Sequence, residues 1–502
     1  MANKQYNLGS FKLSTNRKIG NWTLVRRIGC GGNGEIWECR DKQKQSAAIK
    51  FLKWGKRSLS YKRFRDEITL MEQNSTVPGI LPIIDKNLPS QYAKKYDPTL
   101  PYFYVMPLAV PAKGKVLNAS FDNKILIILE LLQMLVILHS QHIAHRDIKP
   151  ANILLYNNQY VLSDFGLAFF AKKTAKTPVG SKVGPKWTIS PQMERDAQSA
   201  DGFKADVYSM AKTIWIILTG VESSFEGQYQ ANSIIGLSNM LKDKRYYYPL
   251  DKLLSQCTDH DEKNRPNAQE LFDRFKEWLQ INENCDLRNL MQWTEVQEQL
   301  FPSVLPYHAE WRDRNDIVTV LNLLGKYDSL NHMFFPDLGG LDLTGASISH
   351  EQDCIELRCE NLVYIVKPKR LSFEFIDDLH EWNYFLLESE PLQPVDSSLP
   401  AGSVSEEYCE ISPGNYEPLQ MLDNMSKEEH DRIKPRHVTR YLRGSFVLFH
   451  KDSIYNQLVS QYRGEHSHYA PEDFRAAIEK LADKFKGETI ATIVERKKAQ
   501  QH

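Results

Sequence analysis

Three short segments in the first third of the chain constrain its fold more than any other feature. They are Ala48-Ile49-Lys50, His145-Arg146-Asp147 followed by Asn152, and Asp164-Phe165-Gly166. Phosphoryl transfer needs a lysine for nucleotide phosphates, a carboxylate for the attacking hydroxyl, and an amide with a second carboxylate for magnesium. Because the segments supply these groups in this order, the sequence predicts a phosphoryl-transfer site.

A glycine run, Gly29-Cys30-Gly31-Gly32-Asn33-Gly34, precedes the three segments. Alternation from Trp22 to Ile28 predicts a strand before the run, and Ile36 begins a second strand after it. The same glycine spacing ahead of a helix favours a dinucleotide-binding unit, whereas inside a hairpin it favours a flap over ATP phosphates. A flexible hairpin without a ligand is the remaining alternative.

Lys50 closes an apolar strand, where its ammonium group needs an anionic partner. The next amphipathic segment, Tyr61 to Glu72, carries an apolar stripe at helical spacing, formed by Phe64, Ile68 and Met71. Glu67 lies beside this stripe and is the candidate partner of Lys50. Asp66 is one residue away, and a solvated surface position is the alternative for either acid.

On these segments and their order, residues 20–280 resemble a eukaryotic-type (Hanks-type) serine/threonine protein kinase. The resemblance covers just over half of the chain. It implies an α+β bilobal fold, with a small β-rich amino-terminal lobe and a mostly helical carboxy-terminal lobe. It also implies ATP and Mg²⁺ as cofactors and a protein as the substrate.

The resemblance also implies a role for each residue of the predicted site. Asp147 would orient the substrate hydroxyl and accept its proton, while Lys149 would neutralise the moving phosphoryl group and favour serine or threonine over tyrosine. The implied catalytic residues are Asp147, Lys149, Lys50 and Glu67, and the implied metal ligands are Asn152 and Asp164. Taken alone, Asp164-Phe165-Gly166 is also compatible with an ordinary turn.

The ATP pocket is likewise placed by the resemblance. Ile36, Ala48 and Leu154 would enclose the adenine, and the segment from Tyr104 to Ala109 would connect the lobes, with Met106 as the gatekeeper. The complete predicted set is Ile28, Gly29, Gly31, Gly34, Ile36, Ala48, Lys50, Met106, Leu108 and Leu154.

The segment after Gly166 is polar and basic, and it carries hydroxyl groups at Thr174, Thr177 and Ser181. In the family, the arginine at the position of Arg146 usually receives a phosphate on this loop. Activation by phosphorylation at one of the three hydroxyl groups is therefore one expectation. A flexible, unmodified loop is the alternative.

The sequence departs from the family at the substrate-docking floor. Gln192 of Ser190-Pro191-Gln192 replaces a glutamate that normally pairs with an arginine, here Arg265, and Pro185 replaces a threonine that normally contacts the catalytic loop. Peptide specificity therefore does not transfer from familiar kinases. Asp206 matches the family acid that anchors the backbone of the catalytic loop, which is a structural role.

Composition excludes several other classes. The 63 basic residues balance 63 acidic ones, which argues against a protein dominated by nucleic-acid or membrane-surface contacts. The seven cysteines form no CxxC pair, which favours a reduced, cytoplasmic protein. No secretory signal is recognised, and the most apolar stretch, Ile125 to Leu138, is interrupted by Glu130 and predicts a buried helix with no membrane span.

The predicted domains are an extension at 1–19, the kinase domain at 20–280 and a mixed α+β domain at 281–502. In the last of these, Asp316 to Leu324 reads as a helix. The segments Leu362 to Val366 and Leu371 to Ile376, separated by Lys-Pro-Lys-Arg, predict a hairpin. Prolines, serines and acids at 388–418 interrupt regular structure and indicate an exposed loop or an internal linker.

Two further features of this domain are apolar. Phe474, Ile478, Leu481 and Phe485 predict a helix that begins near Pro471. Trp382, Tyr384 and Phe385 are expected in the core, with an aromatic recognition surface as the alternative.

The favoured function is an ATP- and Mg²⁺-dependent serine/threonine protein kinase that autophosphorylates and is regulated or targeted by its carboxy-terminal domain, with a regulatory partner there. One alternative is a pseudokinase scaffold that binds nucleotide or a partner without transferring phosphate. A kinase acting on small molecules is the other, because Pro185 and Gln192 alter the docking floor.

Overall fold

The computed structural model of the protein describes residues 7–8, 11–30, 34–52, 59–88, 101–171, 173–175, 184, 186–335, 339–360, 362–378, 381–449, 471–489, 492 and 495. The chain divides into two compact units, Met1–Gln280 and Ile281–His502. No helix in these described ranges is both long enough and apolar enough to cross a bilayer.

The amino-terminal lobe of the first unit is a sheet with one long helix. In chain order its elements are β1 (Asn7–Leu8), β2 (Phe11–Lys12), β3 (Lys18–Ile19), β4 (Trp22–Cys30), β5 (Gly34–Arg40), β6 (Ser46–Leu52), α1 (Leu59–Gln73), β7 (Asp85–Asn87) and β8 (Phe103–Pro107). Six strands form an antiparallel sheet in the order β3-β4-β5-β6-β8-β7. Its register places Ile36 opposite Lys50, and Ala48 opposite Met106.

The predicted strand, glycine turn and second strand are present as β4 and β5, and the stripe on α1 is buried as expected. Gly34 begins β5 at a point where two strands approach closely. A Cβ atom there would lie 2.9 Å from the carbonyl oxygen of Phe51. This position therefore requires glycine whether or not a ligand binds.

The carboxy-terminal lobe is mostly helical, which confirms the predicted fold class. In chain order it contains β9 (Val110–Pro111), α2 (Lys113–Leu117), α3 (Phe121–Ser140), β10 (Ile153–Tyr156), β11 (Gln159–Leu162), α4 (Pro191–Asp196), α5 (Gly202–Thr219), α6 (Leu237–Met240), α7 (Tyr248–Cys257) and α8 (Ala268–Glu283). Strands β9, β10 and β11 form a small antiparallel sheet. Helix α3 contains the apolar stretch that was expected to be buried, and its side chains join the main core together with those of α5.

The second unit is built on a large mixed sheet. In chain order it contains α9 (Cys285–Leu300), β12 (His308–Trp311), α10 (Arg314–Leu324), β13 (His332–Phe335), β14 (Gly339–Asp342), β15 (Gly345–Ile348), β16 (Ile355–Cys359), β17 (Leu362–Glu374), β18 (Tyr384–Glu390), β19 (Ser405–Ser412), β20 (Asn415–Pro418), α11 (Gln420–Asp423), α12 (Lys427–Ile433), β21 (Arg436–Tyr441), β22 (Phe446–Phe449) and α13 (Pro471–Ala482). Eleven strands join this sheet, and β17 lies at its centre.

The hairpin predicted around Lys-Pro-Lys-Arg is wrong, because β17 runs unbroken from Leu362 to Glu374. Its first half pairs with β16 and β21, and its second half with β12 and β18. A register shift between Pro368 and Arg370 marks a bulge in the pairing with β18. A bulge tolerates the missing N–H of proline, so the proline bends the strand without ending it.

The segment 388–418 also differs from its prediction. It lies within the second unit, and residues Ser405–Ser412 and Asn415–Pro418 pair as an antiparallel hairpin. Regular structure is absent only from the stretch between β18 and β19, which the structure describes in full. The prolines at the two ends of the segment lie outside the interior of β19, where each would remove a ladder hydrogen bond.

The helix and core predictions for this unit are confirmed, except that Phe485 lies beyond the helix that begins at Pro471, in the short 3-10 turn Asp483–Phe485. Helix α10 covers 316–324, and α13 begins at Pro471 and packs its apolar stripe against Phe334, Trp382 and Tyr384. Trp382, Tyr384 and Phe385 are all buried, as expected for core residues.

Candidate active site

Lys50, Glu67 and Asp164 meet between β6, α1 and the segment after β11. The Lys50 ammonium donates to both carboxylate oxygens of Glu67 at 2.8 Å and lies 3.3 Å from Oδ1 of Asp164. Lys50 and Glu67 are both buried, whereas the side chain of Asp164 is 49% exposed. One cation thus connects the helix of the amino-terminal lobe to the Asp164 segment.

Lys50 and Asp164 stabilise each other's charged forms, whereas burial, and also the Asp164 charge, raises the pKa of Glu67. Burial disfavours the Lys50 ammonium, but the carboxylates of Asp164 and Glu67 outweigh burial and hold the pKa of Lys50 well above its usual value. The nearby Lys50 charge lowers the pKa of Asp164. At neutral pH, Lys50 is therefore a cation and Asp164 an anion.

Tyr104 is a fourth member of this group that the sequence did not reveal. Its buried hydroxyl hydrogen-bonds Glu67, and burial followed by the Glu67 charge raises the pKa of Tyr104 well above its usual value. The Tyr104 ring packs on Phe64 of α1, with ring centroids 5.3 Å apart. Tyr104 therefore fixes the position of Glu67 from the β8 side. The available signal was the tyrosine itself, because a buried tyrosine hydroxyl usually finds a hydrogen-bond partner.

Asp147 lies in the loop between α3 and β10, and two neighbours donate to its carboxylate. Lys149 Nζ lies 3.0 Å from Oδ1 and 2.9 Å from Oδ2, and Asn152 Nδ2 lies 2.8 Å from Oδ2. Asn152 Nδ2 also donates to the Asp147 carbonyl at 2.8 Å. The carboxylate is therefore held in one orientation, which is what a positioned proton acceptor requires.

Asp206, on α5, anchors the backbone of the same loop. Its carboxylate accepts from the amide of His145 at 2.6 Å and from that of Arg146 at 2.7 Å. Arg146 has a left-handed backbone, with φ of 64°, which costs energy for a residue with a side chain. Because Asp206 is fully buried and bonded to both amides, it stabilises this turn beside Asp147.

His145 and Ser163 connect this loop to the Asp164 segment. The Asp147 amide donates to His145 Nδ1 at 3.3 Å, so Nε2 carries the proton that is donated to the Ser163 carbonyl at 3.2 Å. The amide of Ser163 in turn donates to the Asn152 carbonyl at 3.0 Å. The two predicted metal ligands are therefore held on segments that are bonded to each other.

The residues predicted to enclose the adenine come together in one apolar cluster. Ala48 and Met106 are buried in the main core, and Ile36, Leu108 and Leu154 pack against it partly exposed. Two further predicted residues, both on β4, lie outside this cluster. Ile28 is 37% exposed and Gly29 lies on β4, while Gly31 is outside the described residues.

Asn152 and Asp164 have the donor atoms that a divalent cation needs. The Asn152 Nδ2 group is committed to Asp147, so its amide oxygen is the atom left to offer a cation. Asp164 is ionised and partly exposed. Amide and carboxylate oxygens suit a hard cation such as magnesium, which keeps several waters and also binds nucleotide phosphates.

The segment after Asp164 is described only in part. Thr174 is described and contacts α1, whereas Thr177, Ser181 and Pro185 lie outside the described residues. Thr188, which the sequence did not single out, donates its hydroxyl to the Ile148 carbonyl at 2.8 Å. Thr188 thus connects the segment before α4 to the catalytic loop. Ser209 of α5 in turn donates to the Thr188 carbonyl at 2.8 Å.

The profile of the protein kinase domain family matches residues 22–276, just over half of the chain. A probable serine/threonine-protein kinase, drkC of Dictyostelium discoideum, is 31% identical over 144 residues, which are 27% of this chain and 18% of that protein. The dual specificity protein kinase shkB of the same organism is 31% identical over 161 residues, which are 30% of this chain and 24% of that protein.

A bacterial relative matches a longer stretch. The serine/threonine-protein kinase AfsK of Streptomyces griseus is 25% identical over 231 residues, which are 44% of this chain and 27% of that protein. The chain thus spans well under half the length of each of these relatives. The residues matched by the family profile, 22–276, contain the Lys50, Asp147, Asn152 and Asp164 segments. On the match to residues 22–276, the chain belongs to the protein kinase family.

Proposed function

We propose that this chain is a serine/threonine protein kinase that transfers the γ-phosphoryl group of ATP, bound with Mg²⁺, to a protein hydroxyl. The observation that carries this proposal is the pair of hydrogen bonds that Lys149 and Asn152 make to the Asp147 carboxylate. They hold a proton acceptor and a cation side by side. A lysine at this position favours a serine or threonine acceptor within the family resemblance.

Each group of the site has a place in the reaction. The acceptor oxygen forms a bond to the γ-phosphorus while the bond from that phosphorus to the β-γ bridging oxygen breaks, so ADP leaves and the hydroxyl proton passes to Asp147. Lys149 lies at hydrogen-bond distance from this carboxylate and balances charge near it. Lys50 is the fixed cation for the nucleotide phosphates. Mg²⁺ on Asn152 and Asp164 would neutralise the phosphate oxygens.

Autophosphorylation and control by the second unit are further parts of this proposal. Arg63 and Arg146 lie near Lys173 in the described part of the segment after Asp164, which favours phosphate there. Thr174, Thr177 and Ser181 remain predicted acceptor sites. The second unit lies beyond the residues matched by the family and has its own core, which favours a separate role in targeting or regulation. Comparing the full chain with one ended after Glu283, which keeps α8 whole, measures that role as a change in transfer rate.

The test uses the purified full chain with labelled ATP and Mg²⁺. Separate peptide mixtures centred on serine, threonine or tyrosine are the acceptors, and a cell extract is included as a source of small molecules. We expect label in the serine and threonine mixtures and in the chain itself. The Asp147→Asn variant is expected to lose on the order of 10²-fold in rate, whereas the exposed Asp122→Asn variant serves as the matched control and keeps its rate.

Three outcomes would overturn the proposal. Nucleotide binding without transfer would support the pseudokinase scaffold instead. Label only in small molecules would indicate a metabolite kinase. Equal transfer by wild type and Asp147→Asn would exclude Asp147 as the proton acceptor.

A further inference from the structure

Asp66 lies next to Glu67 on α1 but contacts a different part of the protein. Its buried carboxylate accepts three hydrogen bonds from the segment after Asp164. The Thr174 hydroxyl donates at 2.6 Å, the Thr174 amide at 3.0 Å and the Ala175 amide at 2.6 Å. Asp66 is 3% exposed, and Ala175 is buried as well. Three hydrogen bonds to one buried carboxylate therefore join the helix to the segment.

The surroundings of this carboxylate are basic. Arg65 also donates to the Thr174 hydroxyl. Lys173 donates to the carbonyls of Leu167 and Ala168, and burial, followed by the charges of Arg146 and Arg63, lowers its pKa to about 8 while Asp66 opposes this shift. The buried Asp66 carboxylate therefore lies close to the basic side chain of Lys173 and shares the Thr174 hydroxyl with Arg65.

Helix geometry gives this contact a second effect. Successive residues on a helix point about 100° apart, so Asp66 and Glu67 face two different partners from the same turn. Glu67 reaches Lys50, and Asp66 reaches Thr174 and Ala175. Asp66 therefore fixes the segment to the same helical turn that presents Glu67.

We propose that Asp66 is a positioning residue that docks the segment after Asp164 onto α1 in the unphosphorylated protein. Its carboxylate accepts from Thr174 and Ala175, so the segment is held on α1 before any phosphate is added. The consequence is a kinase whose basal activity does not require phosphorylation of this segment. The inference rests on the proposed function, since it concerns the positioning of the same site.

The test compares Asp66→Asn with wild type after both full chains have been treated with a phosphatase. The asparagine amide places an N–H₂ group where the carboxylate accepted, so at least one of the three donors loses its acceptor. We expect kcat toward the serine and threonine peptide mixtures to fall about tenfold or more. Glu72→Gln removes one exposed acid from the same helix, and we expect it to keep the wild-type rate.

Hydrogen exchange separates positioning from a general loss of structure. In Asp66→Asn, the amides of Thr174 and Ala175 are expected to exchange faster, while the α1 amides from Ile68 to Met71 keep their protection. Faster exchange along the whole of α1 would indicate a structural role only and would overturn the proposal. Unchanged exchange and an unchanged rate in Asp66→Asn would overturn it as well.

A second measurement uses only the wild-type protein and therefore tests the proposal even if Asp66→Asn does not fold. Phosphatase-treated wild type is expected to keep its initial transfer rate. If it loses that rate and regains it on phosphorylation, a phosphate provides the anion and the proposal fails. If wild type transfers no phosphate before any treatment, the proposed function fails instead, and the exchange experiment still tests whether Asp66 holds the segment.

Discussion

Arg265 donates through Nη2 to Oε1 of Gln192 at 2.8 Å, from a position where the arginine is almost completely buried. Gln192 also donates its own Nε2 to the His260 carbonyl. The glutamine therefore uses both ends of its amide. This is how the chain tolerates the loss of the charge that a glutamate would bring.

We predict that Gln192→Ala lowers the free energy of unfolding by about 1–3 kcal/mol, because a buried guanidinium and a carbonyl both lose a partner. Gln192→Glu keeps the acceptor for Arg265 and adds a charge, but it loses the donor to the His260 carbonyl. Its stability is therefore expected to lie between that of wild type and that of Gln192→Ala. Thermal unfolding measures both. An alanine variant as stable as wild type would contradict this account.

A second prediction concerns Glu67. Glu67→Gln removes the charge that fixes the Lys50 ammonium, so kcat/KM for ATP is expected to fall about tenfold or more, as for loss of a charge-assisted hydrogen bond. The Glu72→Gln variant on the same helix is the control. A Lys50→Glu, Glu67→Lys double variant is expected to stay inactive because the cation then lies on α1, and full activity in it would contradict the assigned roles.

A third prediction concerns the anchor of the catalytic loop. Asp206→Asn loses one of two charge-assisted bonds to the amides of His145 and Arg146, and we expect a loss of about 1.5–3 kcal/mol in stability together with slower transfer. Asp201→Asn makes the same chemical change at the start of α5, where asparagine caps as well as aspartate. Equal stability of the two variants would contradict the anchoring role.

A fourth prediction follows from Lys212, which is buried on α5 and donates to the Phe225 carbonyl at 2.9 Å. Burial lowers the pKa of Lys212 to about 8 from an ordinary value of 10.5. Between these two pH values the unfolded chain holds a proton that the folded chain has released. The free energy of unfolding therefore rises with pH across that window. Below about pH 8, burying the charged Lys212 ammonium destabilises the fold to its full extent.

Lys212→Met removes this titration while keeping the volume of the side chain. The Tm of the variant minus the Tm of wild type is expected to decrease as pH rises from 8 to 10.5. Comparing the two proteins at each pH cancels the other titrating groups. A difference that stays constant across the window would contradict the lowered pKa.

A fifth prediction tests the second unit. Arg436 donates to Glu410 at 2.6 Å and to Glu356 at 3.1 Å, and both carboxylates are buried. Arg436→Met leaves two buried acids without their cation. We expect a loss of about 1–3 kcal/mol, less than for a fully buried pair because the Arg436 side chain is 41% exposed. Adding Glu356→Gln and Glu410→Gln is expected to restore part of it. The exposed pair of Arg312 and Glu310 provides the control, and Arg312→Met is expected to change stability by less than about 1 kcal/mol.

The sequence predicted those parts of the site that local motifs encode. Lys50, Asp147 and Asp164 lie in short segments whose residue types and order are those that phosphoryl transfer requires. Helix α5 was predictable from its run of apolar residues. Periodicity could not decide between Asp66 and Glu67, because adjacent helix positions both flank the buried stripe. Only the tertiary contacts with Thr174 and Lys50 distinguish them.

The contact of Thr188 and the unbroken strand at Pro368 could not be predicted, because both depend on residues distant in the sequence. Thr188 reaches the catalytic loop through a turn whose shape no local pattern predicts. Pro368 resembles a turn residue in isolation, but its neighbouring strands come from distant segments and accommodate it at a bulge.

The unbroken strand β17 has a consequence for how the second unit loses its structure. Its first half pairs with β16 and β21 and its second half with β12 and β18, so the strand pairs in both halves of the sheet depend on the same continuous strand. The two halves are therefore coupled into a single cooperative block. A chain cleaved at the bulge between Pro368 and Arg370 would release that coupling and let each half melt separately.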